Sequence, residues 1–115
     1  MDQIKLIEAY ARLKALKANL PGQYQVHEKY VQEFHSILDR LAEISGFNLN
    51  NFRVASSEVG PVETGGNSMT GEVYYSEDNR CERSVLMMKI DGVLTFFEIG
   101  LSSKKSEIGF KTAAK

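Results

Sequence analysis

The chain has 115 residues, of which 43% are hydrophobic and 25% charged, with a formal net charge of −1. That length fits one domain able to bury roughly two thirds of its unfolded surface, and the composition excludes a chain disordered throughout. The near-neutral balance argues against nucleic acid as the main partner, and the single Cys81 excludes an intrachain disulfide framework and fits a reducing compartment.

Charge is distributed unevenly. Residues 1–46 carry six Lys and Arg against six Asp and Glu, residues 47–82 two against six, and residues 83–115 six against three. The opening stretch, MDQIKLIEAYARLKALKA, mixes charges throughout and has no apolar signal-type region. No apolar run approaches membrane-spanning length, so a cytoplasmic protein without a membrane segment is expected.

From about Asp2 to Asn19 the pattern is helical, with Leu6, Ala9, Tyr10, Leu13, Leu16 and Leu20 in one arc. A second stripe of Ile4, Ile7, Ala11, Ala15 and Ala18 lies on nearly the opposite side. It predicts either a second packing partner or, because Ala is a strong helix former, a solvated face. Pro21-Gly22 breaks the pattern, and a second helix is predicted to Ser45, its apolar arc including Val26, Tyr30, Val31, Phe34, Ile37, Leu38, Leu41 and Ile44. Gly46 is placed to end it in a left-handed conformation, with Phe47 folding back. The short connection makes residues 1–46 an antiparallel αα-hairpin.

His27 and His35 on that second helix are eight residues apart, about 12 Å along a helix axis, too far to share an ion. His35 with Asp39 makes only two ligands. No metal site and no cofactor are expected, and the ordinary reading of each histidine is a hydrogen-bonded, partly buried side chain.

Residues 47–71 predict an irregular segment rich in Gly, Ser and acid, anchored by Phe47, Leu49 and Phe52 and acting as a flexible recognition loop or lacking order. Gly60 to Gly65 has the glycine spacing of a phosphate loop, but Gly66 stands where the lysine is needed and no helix pattern follows. Residues 72–111 predict a β-meander: Val73 to Ser76, then Cys81 to Ile90, then a strand after Asp91-Gly92, and an uncertain edge strand through Ile108 and Phe110. The Asp91-Gly92 pair between apolar runs is the strongest hairpin signal in the chain. Its register puts Leu86, Met88, Ile90, Val93, Thr95, Phe97 and Ile99 on one face. Val85, Met87, Lys89, Leu94, Phe96 and Glu98 fall on the other. Residues 112–115 are expected to fray.

Chemistry is sparse. Cys81 has no histidine in its neighbourhood of the sequence to act as base. Glu98, with Leu94 and Phe96 on its face, would have a raised pKa if that face were dry, but Arg83 lies diagonally near it and predicts a cross-strand ion pair. Lys104, Lys105, Lys111 and Lys115 make a basic tail without stacking aromatics, so a solubilising role is the expectation over nucleic-acid binding.

The sequence therefore predicts an α+β domain over residues 1–115, an amino-terminal antiparallel αα-hairpin packed on a small three- to four-stranded antiparallel β-meander. No catalytic residues are assigned. The leading expectation is a non-catalytic protein-protein interaction or homodimerising module, binding through Ala11, Ala15 and Ala18 and through Val85, Met87, Leu94 and Phe96. The alternative is a small-molecule or catalytic site formed by Glu63, Glu98 and Arg83.

Overall fold

The structure, a computed structural model, describes residues 2–108, with side chains from 2 to 100. Helix α1 spans Gln3–Asn19, and Asp2 caps it by accepting a hydrogen bond from the Lys5 amide at 3.1 Å. Leu6, Ala9, Leu13, Leu16 and Leu20 are buried, as their periodicity requires. Helix α2 spans Glu28–Ser45, packs against α1 and buries Val31, Phe34, Ile37, Leu38 and Leu41 in the core. Gly46 ends it at φ 78°, with its amide donating to the Ala42 carbonyl at 2.8 Å. The class is α+β, a helical hairpin followed by small antiparallel strands.

Between α1 and α2, Gln25–His27 is strand β1 and not helix, so the predicted second helix begins six residues beyond Gly22. Its partner explains the difference. Strand β5, Arg80–Glu82, pairs antiparallel with β1 on one side and with β2, Val59–Gly60, on the other. Both Val26 and Val59 stand opposite Cys81, which is buried. The ladder continues past both ends of β5: the Glu28 amide donates to the Asn79 carbonyl at 3.0 Å and the Arg83 amide to the Tyr24 carbonyl at 2.8 Å. These are the first residues of α2 and of the last helix, so the sheet satisfies an otherwise orphan amide at each helix start.

That last helix, α3, spans Arg83–Ile108 and overturns the predicted hairpin at Val85 to Ile99. Leu86, Ile90, Val93, Leu94 and Phe97 are buried while Met88 is 64% and Ile99 63% exposed, a stripe of helical period that a two-residue alternation does not give. A glycine inside a helix costs about 1 kcal/mol relative to alanine, whereas each large apolar side chain that the stripe buries gains about 1.5–3 kcal/mol. Burial wins. Gly92 serves a different need, because a Cβ there would lie 3.1 and 3.2 Å from the Phe52 ring. Asp91 holds the Lys17 ammonium at 2.7 Å, and the Tyr10 hydroxyl donates to Glu98 at 2.6 Å. Taken in order, these two contacts set α3 antiparallel to α1.

The predicted irregular segment is anchored as expected near its start, where Leu49 is buried and Asn50–Phe52 form a 3-10 turn. Its later part is not a loop: Glu63–Asn67 (β3) pairs with Glu72–Tyr75 (β4), the strand predicted from Val73 to Ser76, in a separate two-stranded antiparallel sheet. Residues 101–108, expected as loop and edge strand, continue α3, while Phe110 and residues 112–115 lie outside the described residues.

Gly92→Ala separates the two readings of this segment in a double-mutant cycle with Phe52→Ala, followed by chemical denaturation. Helix propensity gives the substitution a gain of about 1 kcal/mol in the Phe52→Ala background and a smaller gain, or a loss, when Phe52 is present. A large loss in both backgrounds would instead mark a glycine required by a turn.

Candidate functional site

The β3–β4 ribbon is where the chain departs furthest from a packed domain. Its base is a pinned pair: the Ser76 amide donates to the Val62 carbonyl at 2.8 Å, the Val62 amide donates to Ser76 Oγ at 3.0 Å, and that hydroxyl donates to the Asp78 carbonyl at 2.7 Å. Asp78 in turn holds Arg80 at 3.0 Å and faces His27 at 3.6 Å, and the Arg80 hydrogen bond holds its carboxyl below the usual range. Above this base β3 carries a bulge between Glu63 and Gly65, and the Thr64 hydroxyl donates to the Tyr74 carbonyl at 3.3 Å.

The turn is built, not slack. Asn67 Oδ1 accepts from the Met69 amide at 2.9 Å, the Gly71 amide donates to the Asn67 carbonyl at 2.8 Å, and Gly71 adopts φ 77°. Gly66 passes so close to the Glu72 carbonyl that a Cβ would lie 2.6 Å from it. Opposite Gly65 and Gly66 stand Tyr74 and Val73, with no cross-strand side chain to cover them. No residue from Glu63 to Tyr75 is buried, yet the ribbon presents Met69, Val73, Tyr74 and Tyr75, with Met69 94% exposed. The signal for this ribbon was present in Asn67 and Gly71, both turn formers, and in β-favouring Val73 to Tyr75.

A second exposed surface is the outer side of α1. Ile4 and Ile7 are 73% and 66% exposed, and Ala11, Ala15 and Ala18 continue their stripe in solvent. Lys5, Glu8, Ala9, Ala11, Arg12 and Arg40 line an open groove of about 510 Å³ beside it.

The predicted hairpin face is not formed as one surface. Leu94 is buried, Val85 and Met87 are half-buried against the core, and Phe96, 37% exposed, contacts Phe47, Phe52 and Phe97 at ring-centroid distances of 5.4, 5.8 and 5.3 Å. Helical period turns these four residues to different sides of α3, where strand period would have aligned them. The alternative trio is also not brought together. Glu98 accepts from Tyr10, Arg83 Nε donates to the Pro21 carbonyl at 2.9 Å, and Glu63 pairs with Tyr75 in the ribbon. Burial and the Glu98 hydrogen bond push Tyr10 up to about 12, so its hydroxyl stays a donor.

Both histidines accept hydrogen bonds from backbone amides. His27 Nδ1 accepts from the Lys29 amide at 3.0 Å and caps α2, while His35 Nε2 accepts from the Val54 amide at 3.0 Å. Asp39 pairs with Arg53 at 2.6 Å, and no cluster of three or more metal-ligating side chains occurs among the described residues. Burial pushes the Cys81 thiol up, with Glu58 and Glu82 adding to the shift, which leaves a protonated, poorly nucleophilic sulfur. A cleft of about 350 Å³ between α2 and the Val54–Val59 stretch is lined by Glu28, Gln32, His35, Ser56 and Asn79, with His35 Nε2 already engaged by the Val54 amide. Among the described residues no helix is long and apolar enough to cross a membrane.

No known protein family, curated protein or solved structure matches the chain. Function is therefore read from the surface itself.

His35 gives the fold a pH dependence. Its pKa is lowered, first by burial and then by Arg53, with Asp39 opposing, so the neutral ring that accepts from Val54 is favoured in the folded state. That contribution is complete above the unfolded value of about 6.5 and is lost as pH falls from there through the folded value. Thermal melts should show stability declining below about pH 6.5. His35→Gln, an acceptor that does not titrate, should flatten that part of the profile. An unchanged profile would remove His35 as its source.

Proposed function

We propose that the chain is a non-catalytic protein-interaction module that associates with itself, using the β3–β4 ribbon and the outer side of α1. The observation that carries this is the ribbon. A two-stranded ribbon alone is at best marginally stable in water, and this one has no buried residue on either strand. It nevertheless holds two tyrosines, a valine and a methionine in solvent. Aromatic side chains of this size bury roughly 150–250 Å² each when covered, enough to make such a ribbon a contact surface. Ile4 and Ile7 provide a second apolar patch on α1.

A catalytic reading has less support, since Glu63, Arg83 and Glu98 engage separate partners and the Cys81 thiol is buried. The basic residues Lys104 and Lys105 fall at the end of α3, and Lys111 and Lys115 lie outside the described residues, so a nucleic-acid role gains nothing from the fold. A reducing, cytoplasmic setting suits the unpaired Cys81 thiol.

Static light scattering across a dilution series should give a weight-average mass rising above the 12.9 kDa of one chain as concentration increases. Tyr75→Ser together with Met69→Ser should move the rise to higher concentration without changing the melting temperature by more than about a degree, because neither residue is buried. A strict monomer at the highest soluble concentration contradicts the self-association reading.

A further inference from the structure

We propose that two copies of the chain join edge to edge through β4, making one four-stranded antiparallel sheet about a two-fold axis at Tyr74. The proposal rests on the self-association reading and specifies the contact that produces it.

The backbone of β4 sets which groups are free. The Ser76 amide donates to the Val62 carbonyl and the Tyr74 carbonyl accepts from the Thr64 hydroxyl, so the backbone groups of residues 74 and 76 turn toward β3. Strand alternation then turns the amides and carbonyls of Val73 and Tyr75 outward, along the free edge. The ribbon has two such edges and they differ. On β3 the edge is interrupted by the bulge at Thr64, with Pro61 two residues before the strand, features that discourage pairing. On β4 the run Glu72-Val73-Tyr74-Tyr75 is unbulged, has no Pro or Lys, and is composed mostly of strong strand formers. Outward backbone donors and acceptors alternating along an edge are satisfied by another extended strand, which fixes the chemistry of the occupant.

Self-complementarity selects the second copy. With two β4 strands antiparallel and Val73 opposite Tyr75 of the second copy, each of those pairs exchanges two hydrogen bonds, and every outward group of both strands is used. Tyr74 then faces Tyr74 of the second copy as a closely spaced pair, a favourable cross-strand aromatic contact. Glu72 faces Ser76 of the second copy, so no like charges oppose each other. Sliding the register by two residues either way puts Tyr75 opposite Gly71 or Val73 opposite Glu77, beyond the strand ends.

Cysteine crosslinking in the full chain tests the register. Closely spaced antiparallel pairs have Cα atoms about 4.5 Å apart, within reach of a disulfide, whereas the two copies of residue 73 would be roughly 8 Å apart. Under oxidised glutathione, Tyr74→Cys should form a covalent dimer at least about tenfold faster than Val73→Cys, and native Cys81, buried, should not contribute. Val73→Pro, which deletes one outward amide per copy, should weaken association about tenfold while the melting temperature holds. If light scattering shows a dimer but Tyr74→Cys does not crosslink, or crosslinks no faster than Val73→Cys, edge pairing is wrong and self-association stands. If the unmodified chain is monomeric at every concentration, both are wrong.

Discussion

The rest of the structure depends on one close approach, the Phe52 ring against the backbone of Gly92. A side chain at residue 92 would meet that ring at 3.1 Å, so glycine is what allows the 3-10 turn at Asn50–Phe52 to lie on α3. Phe96, one helical turn further along, meets the same ring at a tilt and Phe47 edge to face. The irregular chain after α2 is therefore held to α3 by aromatic contacts as well as by the burial of Leu49. His35 and Asp39 on α2 hold its continuation through the Val54 amide and Arg53. Together these contacts join the two longest helices through a segment that has little regular structure of its own.

At the opposite end the three-stranded sheet fastens the starts of α2 and α3 to each other, with Cys81 at its centre opposite both Val26 and Val59. The ribbon leaves this sheet after Gly60 and returns to it at Arg80. Its ends are thus fixed by a buried structure while its strands contribute nothing to the core. A segment that costs conformational entropy to order and adds no burial within its own chain is better explained by contact outside it.

Much of the first half was legible in the sequence because the helical periodicity of α1 and α2 contains no internal turn signal that a strand reading could use. Leu6, Leu13 and Leu16 on α1 and Phe34, Ile37 and Leu41 on α2 are buried as their spacing indicates, and Gly46 occupies the left-handed position expected of it. The second half was not legible because glycine has two physical uses that look alike locally. Positive φ in a turn and close approach in a packed helix both demand a missing Cβ, and only the remote Phe52 decides between them. Strands β1, β2 and β5 have three residues or fewer, too short to carry a pattern. Of the candidate site residues, Ala11, Ala15 and Ala18 are exposed, whereas Val85, Met87 and Leu94 are drawn into core contacts once the period changes from two to 3.6, and Phe96 stays 37% exposed on another side of the helix from Leu94. In the ribbon, β4 lies where Val73 to Ser76 predict a strand, whereas β3 reads as loop because its glycines suggest slack where they permit close strand pairing.

The fold and the surface left free by it both follow from α3 running unbroken through Asp91-Gly92. Backbone NMR assignment of the full chain tests that most directly. Helical Cα secondary shifts without interruption from Arg83 through Ile99, with the Phe52 ring protons in contact with Gly92 Hα, are the expected result. Extended shifts on both sides of Asp91-Gly92, with a close Hα contact between Lys89 and Leu94, would contradict it.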